Sequence, residues 1–316
     1  MNTKQLHYFL ATIDKGSISG AARELDIAQP AISQQIAKLE HELQAQLFVR
    51  DFRGVKLTES GVKFLDHAKT IMRQIDAAKS DIKDTEENPC GTVVIGMTQS
   101  ICNVLSVPLL AETKRRYPGI HLKIKMGLSY MLHDWLRLGK LDLALSFPDG
   151  ADMTAVHRER LILEDIYLAV SSTPKDAAQK HIIQRNSISF RELAKHEVIV
   201  TGREDALGYL LHQHELETGI RIKKESGIEQ LMSALRSVTE GDSMLLAPSS
   251  ATFHLEEINQ ITTVKIVEPE IKREVFIMTL IDRPQSNSLR KVTESIKKVA
   301  TQANEKSHWR GQMVDF

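Results

Sequence analysis

The sequence predicts an α/β chain in three parts: a winged helix-turn-helix head, a long linker helix and a two-lobed α/β domain. Three observations predict it. Short amphipathic helices and then a hairpin pattern fill residues 1–57. A proline-free heptad seam follows from Thr58, and strand, helix and strand patterns alternate from Thr92.

The 316 residues suit about two domains of ordinary size. Hydrophobic residues make up 42% and charged residues 26%, enough for more than one core. Lys plus Arg equals Asp plus Glu at 41 each, so a surface for a charged partner must come from local placement of charge. In the opening MNTKQLHYFLATIDKG the apolar residues are interrupted by His7 and Thr12, unlike an export signal. No run approaches the ~20 apolar residues of a membrane span. Cys90 and Cys102 have no companion cysteine, so two free thiols in a reducing cytosol are expected, with no disulfide framework, metal or cofactor.

In the head, Leu6, Phe9, Leu10 and Ile13 recur at helical spacing and Gly16 stops that helix. Ser17 or Ser19 is expected to cap the next one, whose Ala21, Ala22 and Leu25 allow close helix–helix approach. Asp26-Ile27-Ala28 is a tight connection. Pro30 opens a third helix, in which Ile32, Ile36, Leu39 and Leu43 form the expected buried stripe. Its other face carries Gln29, Ser33, Gln34 and Lys38, side chains able to reach base edges and phosphates from a major groove; the bland alternative is a solvated helix face. Two β-prone stretches then flank Arg53-Gly54 as a wing, with Arg50, Arg53 and Lys56 within reach of phosphates or a narrow minor groove. Residues 1–57 hold seven Lys or Arg against six Asp or Glu, so the electrostatic case rests on these wing cations.

The stretches Ser17-Ile18-Ser19-Gly20-Ala21-Ala22-Arg23-Glu24-Leu25, Gln29-Pro30-Ala31-Ile32-Ser33-Gln34-Gln35-Ile36-Ala37-Lys38-Leu39-Glu40, Leu47-Phe48-Val49-Arg50 and Arg53-Gly54-Val55-Lys56-Leu57-Thr58 resemble the LysR-type transcriptional regulators. Chain length and domain order fit as well. The resemblance implies sequence-specific binding to a dyad-symmetric duplex DNA operator and dimeric or tetrameric assembly. It further implies an effector domain of periplasmic-binding-protein shape that takes a small-molecule co-inducer. Gln29, Pro30, Ser33, Gln34, Arg50 and Arg53 would lie at or near DNA. RNA polymerase is a further candidate partner, and the expected location is the cytoplasm. Two positions depart from the family pattern: Ala28 where a capping Ser is usual, and Gln34 where Arg or Lys is frequent.

From Thr58 to about Glu87, the residues Leu57, Gly61, Phe64, Ala68, Ile71, Ile75, Ala78 and Ile82 step by four and three. That is the heptad seam of a two-stranded coiled coil, with Phe64, Ala68, Ile71, Ile75, Ala78 and Ile82 as expected dimer contacts. The linker is read as 58–88, and Pro89 marks the hinge to the next domain.

The α/β domain is read as 89–304, with lobe I at 92–163 and 267–304, lobe II at 164–266, and a loosely held polar tail at 305–316. Strands are expected at 92–97, 120–126 and 141–146, and again at 197–201, 220–224 and 243–247. Pro108 should kink the first intervening helix. Ligands of open α/β sheets sit beyond the strand ends, at helix N-termini with free N–H groups. The candidates are Thr98, Ser100, Ser129, Phe147, Thr201 and Arg203, a set suited to a small anion such as a carboxylate, although Ser and Thr at such places also serve simply as helix caps.

The chain lacks HExxH, GxGxxG, Walker and GxSxG motifs. His133-Asp134 and His254 show no metal spacing, and His212 and His214 read as solvated surface residues. An enzyme fused to a DNA-binding head and a DNA-binding structural protein without a ligand are the rival readings, and no enzyme is expected.

Overall fold

The computed structural model describes residues 1–316 apart from 52, 53, 83, 149–153, 201–205, 226, 283, 284, 315 and 316, and apart from the side chains of 50, 51, 77, 80 and 81. It divides into two compact units, Met1–Lys83 and Asp84–Phe316.

In the first unit, α1 (Thr3–Lys15) starts with a capping box in which Asn2 and Gln5 each accept the other's backbone N–H. Gly16 ends it at φ 65°, a left-handed turn that glycine adopts without strain. Ser17, one of the two expected caps, accepts from Gly20 N–H at 3.0 Å and opens α2 (Ile18–Glu24). In α3 (Gln29–Leu43), Ile32, Ile36 and Leu39 are fully buried against Leu6, Phe9 and Ala21. Leu43, expected in that stripe, is 37% exposed because it falls in the last helical turn, beyond the core. β1 (Phe48–Asp51) and β2 (Gly54–Leu57) form the antiparallel hairpin.

The long helix α4 (Glu59–Asp81) ends six residues before the expected stop. Asp84 is drawn into the second unit instead, where its carboxylate accepts from Cys90 N–H at 3.0 Å and Ser288 N–H at 2.8 Å. Part of the seam on α4 also packs within its own unit. Ala68 is fully buried and Phe64 and Ile71 pack beside it in the head's own core, with the Phe64 ring 5.1 Å from Phe9. Ala68 thus faces the head's own core, while Phe64 and Ile71 keep part of their surface exposed. Ile75 is half-buried, and Ala78 and Ile82 are exposed.

The second unit begins β3 (Gly91–Met97), α5 (Gln99–Arg116), β4 (Ile120–Met126), α6 (Ser129–Arg137) and β5 (Leu143–Ser146). α5 runs unbroken through Pro108, whose ring lies on the exposed side. A 16-residue strand, β6 (Val156–Ser171), then crosses the expected lobe boundary. Lobe II follows: α7 (Ala177–Ile182), β7 (Ser187–Ser189), α8 (Phe190–Leu193), β8 (Glu197–Ile199), α9 (Ala206–Thr218), β9 (Lys223–Glu225), α10 (Leu231–Thr239), β10 (Leu245–Pro248), α11 (Ser249–Glu256) and β11 (Ile261–Val267). β12 (Lys272–Leu280), α12 (Asn287–Glu305) and β13 (Gly311–Met313) return to lobe I.

The strands run β4-β3-β5-β12-β6-β10-β8-β9, with β11 and β13 also on β6. Pairing is parallel among β3, β4 and β5 and antiparallel along β6. β6 pairs with β12 up to Asp165 and with β10 from Ile166, so one strand serves both lobes and the changeover falls between those two residues. The tail is not loosely held. Trp309 is fully buried, Asn304 Nδ2 donates to the Trp309 and Gly311 carbonyls, and β13 adds a strand to β6 at Ile162–Glu164. A buried aromatic, side-chain hydrogen bonds and a short strand together dock it.

Candidate nucleic-acid interface and ligand pocket

Burial of Ile32, Ile36 and Leu39 turns the opposite face of α3 outward, where Gln29, Pro30, Gln34 and Lys38 are exposed and Ser33 is half-buried. Ala28 makes no side-chain hydrogen bond to the first turn, which leaves that end without a side-chain acceptor. On the hairpin, Lys56 is exposed and stands opposite Val49, and Arg50 pairs in register with Val55. The side chain of Arg50 and all of Arg53 lie outside the described residues.

Between the lobes of the second unit lies a cavity of about 780 Å³, the size of an ordinary small-molecule site. Thr98, Leu128, Gln230 and Pro248 line it, and each is the N-cap residue of a helix: α5, α6, α10 and α11. None of the four makes a side-chain cap hydrogen bond. Elsewhere in the unit Asp176, Ser189 and Ser286 do cap their helices. Four helix ends therefore present N–H groups and positive dipole ends toward one cavity. The Thr98 Oγ1 is buried with no partner among the described residues.

Of the expected ligand residues, Thr98, Ser100 and Phe147 line the cavity. Ser129 does not. Its side chain is fully buried behind the wall that its neighbours Leu128 and Tyr130 form, because the first turn of α6 points it into the lobe. Thr201 and Arg203 lie outside the described residues. Sequence reasoning missed the apolar lining of Met126, Met131, Leu207 and Leu231, and it missed Arg273. Thr98 and Ser129 marked the starts of α5 and α6, whereas those of α10 and α11, behind Gln230 and Pro248, were not read. Arg273 carried no signal, because its partner is 109 residues away.

Arg273 is 7% exposed and lies over the Phe147 ring, with its guanidinium carbon 3.5 Å from the ring centre. Its Nε donates to Glu164 Oε1 at 2.7 Å and its Nη2 to the same oxygen. Glu164, fully buried, also accepts from Trp309 Nε1 at 2.7 Å and Ser250 Oγ at 3.3 Å. One carboxylate thus joins a pocket wall, the start of α11 and the tail.

Burial pushes the Cys102 thiol up to about 11. His214, expected on the surface, is 16% exposed and faces Phe190 at 6.3 Å, while His212 remains exposed. Among the described residues no cluster of three or more His, Cys, Asp and Glu could hold a metal ion, and no helix is long and apolar enough to cross a membrane.

Residues 3–62 match the bacterial regulatory helix-turn-helix protein, lysR family, and residues 86–301 match the LysR substrate binding domain. The chain belongs to the LysR family of transcriptional regulators. As a LysR-type protein it is a DNA-binding transcription regulator with an effector-binding domain, and not an enzyme. It is 33% identical over 290 residues to the transcriptional dual regulator GltC of Bacillus subtilis, across 88% of this chain and 90% of that protein. The nitrogen assimilation regulatory protein nac of Klebsiella aerogenes is 35% identical over 169 residues, 53% of this chain and 55% of its own length, so that match spans about half of each. The LysR fold is also that of CbnR complexed with its target DNA, with TM-score 0.70 at 20% identity across 95% of this chain and 100% of that one. A full-length OxyR variant from Pseudomonas aeruginosa gives TM-score 0.65 at 20% identity across 95% and 97%.

Proposed function

We propose that the chain senses a small organic anion in the inter-lobe cavity and passes that signal to operator-bound heads. The observation that carries the reading is the ring of four helix ends without side-chain caps around the buried Thr98 hydroxyl. A carboxylate would accept from those N–H groups and from Thr98 and Ser100, with Phe147 and the apolar lining holding its body. Thr201 and Arg203 are proposed as further contacts from lobe II. A ligand that touches both lobes favours the closed arrangement through its differential affinity for the two states.

On DNA, Gln29, Ser33 and Gln34 would read base edges beside Pro30, and Lys38, Arg50, Arg53 and Lys56 would meet phosphates or the minor groove. Assembly as a homodimer or homotetramer would use the seam of α4 where it is not fully buried, at Phe64, Ile71, Ile75, Ala78 and Ile82. CbnR was captured with its target DNA, and the same partner is proposed here, in the cytoplasm.

The test is a titration of full-length protein with a panel of mono- and dicarboxylates, followed by intrinsic fluorescence. Trp135 packs beside Gly127 in the cavity wall and would report it. The expected result is saturable binding that Thr98→Val weakens about tenfold, the worth of a hydrogen bond to a charged group. Saturable binding of equal affinity in Thr98→Val, or silence to every carboxylate, overturns the reading.

A further inference from the structure

We propose that Glu40 is a positioning residue for DNA binding: it fixes the wing at a set distance from the recognition helix. Its Oε1 accepts the backbone N–H of Leu47 at 2.7 Å and of Phe48 at 3.1 Å. These are the residues at which the chain enters the first wing strand. The Glu40 backbone carbonyl meanwhile accepts from Gln44 and Ala45, where Gln44 turns left-handed at φ 50° and ends the helix. A single residue therefore closes α3 with its main chain and holds β1 with its side chain.

The wing needs such a hold. Each strand has four residues, and a lone two-stranded hairpin is marginal in water. The second strand is fixed to a different part of the head. Val55 N–H donates to the Gly16 carbonyl at 3.0 Å, and a Cβ at Gly54 would come within 2.4 Å of that same oxygen. The base is closed by Thr58, whose Oγ1 donates to the Gln46 carbonyl at 2.6 Å. Of these attachments Glu40 is the one that reaches from α3 itself. It stands seven residues after Ser33, which is two turns and roughly 10 Å along one face of a rigid rod. The spacing between the base-facing turn and the wing cations is then set by the carboxylate rather than by the loop at 44–47.

This inference rests on the proposed reading that Arg50, Arg53 and Lys56 meet phosphates. Full-length protein is titrated into a labelled duplex of about 30 mixed-sequence base pairs over a range of NaCl, because the salt slope counts phosphate contacts. With the wing mispositioned, Glu40→Ala should bind about tenfold more weakly and flatten the slope of log K against log salt by about 2. Glu40→Gln keeps an oxygen acceptor and should restore both. Lys56→Gln should flatten the slope by about 1 in the wild-type background and not in Glu40→Ala, a dependence that mere loss of stability does not produce. Far-UV circular dichroism confirms folding. If Glu40→Ala is unfolded, Glu40→Asp, which withdraws the oxygen by one methylene, takes its place in the same comparison. A wild-type slope in Glu40→Ala, or an equal effect of Lys56→Gln in both backgrounds, overturns the proposal. Wild-type protein without salt-dependent binding overturns the wing reading beneath it.

Discussion

Arg273 stacks on Phe147 with its guanidinium carbon 3.5 Å from the ring centre, so a charged side chain and an aromatic one form a single piece of pocket wall. The arrangement stands because Glu164 takes the charge from behind. Removing that carboxylate leaves a buried guanidinium unpaired. Glu164→Ala is expected to destabilise the chain by about 3–5 kcal/mol, read as a shift in the urea midpoint. Replacing Arg273 by Met together with Glu164 by Gln should cost less than Glu164→Ala alone, since no net charge then stays buried.

The docked tail leads to a second expectation. Trp309→Ala should cost about 3–5 kcal/mol, as for other large aromatics removed from a core. Termination after Glu305 should cost at least as much, because it also strips β13 from β6. Thermal unfolding measures both. A melting temperature unchanged in the truncated chain would contradict the docking.

Thr98 separates stability from binding. Its hydroxyl is buried without a partner among the described residues, so Thr98→Val removes an unsatisfied group while keeping the shape. Stability should be unchanged or rise by up to about 1 kcal/mol, whereas affinity for an anion falls. Denaturant melts and ligand titrations on one preparation check the pair of outcomes.

Acid should find Glu112 on α5. Lys298 and Arg115 donate to its carboxylate at 2.8 and 2.6 Å and hold its pKa down at about 2. Above the ordinary value of 4.5 the carboxylate is charged in folded and unfolded chains alike, and its stabilisation is complete. As pH falls from there toward 2 the unfolded chain takes up a proton that the folded chain refuses, and the stabilisation is lost. The stability gap between wild type and Glu112→Gln should therefore narrow between pH 5 and pH 2, as followed by urea titrations.

Cys102 should be nearly inert. With its thiol pushed up to about 11, the thiolate fraction at neutral pH is roughly 300-fold below that of a free cysteine near 8.5. Iodoacetamide should accordingly modify a Cys90→Ser variant slowly until the pH approaches 10, and mass spectrometry of the quenched protein follows it.

What the sequence made legible was local. Ser17 and Ser286 announce helices through short polar side chains at fixed offsets, and Ile32, Ile36 and Leu39 mark a face by spacing alone. The heptad on α4 shows the limit of spacing. Phe64, Ala68 and Ile71 fit a seam between chains as well as they fit the core of their own head, and periodicity names no partner. β6 was hidden because its first five residues, Val156 to Arg160, mix exposed charges into the strand. Arg273 and Glu164, like Trp309 at the same carboxylate, meet only through tertiary contact, so neither the pocket's charged wall nor the docked tail had a signal in any short window.

The shared strand bears on how the chain emerges from the ribosome. Every strand of lobe II lies within residues 166–267, so that lobe can close its sheet as soon as β11 has been made. Lobe I begins earlier and finishes later. β5 and β6 are joined into one sheet only when β12 slides between them, and β13 is made later still, at 311–313. The half translated first is thus the half completed last, and during that interval the incomplete sheet offers bare edges that a nascent-chain chaperone would have reason to cover.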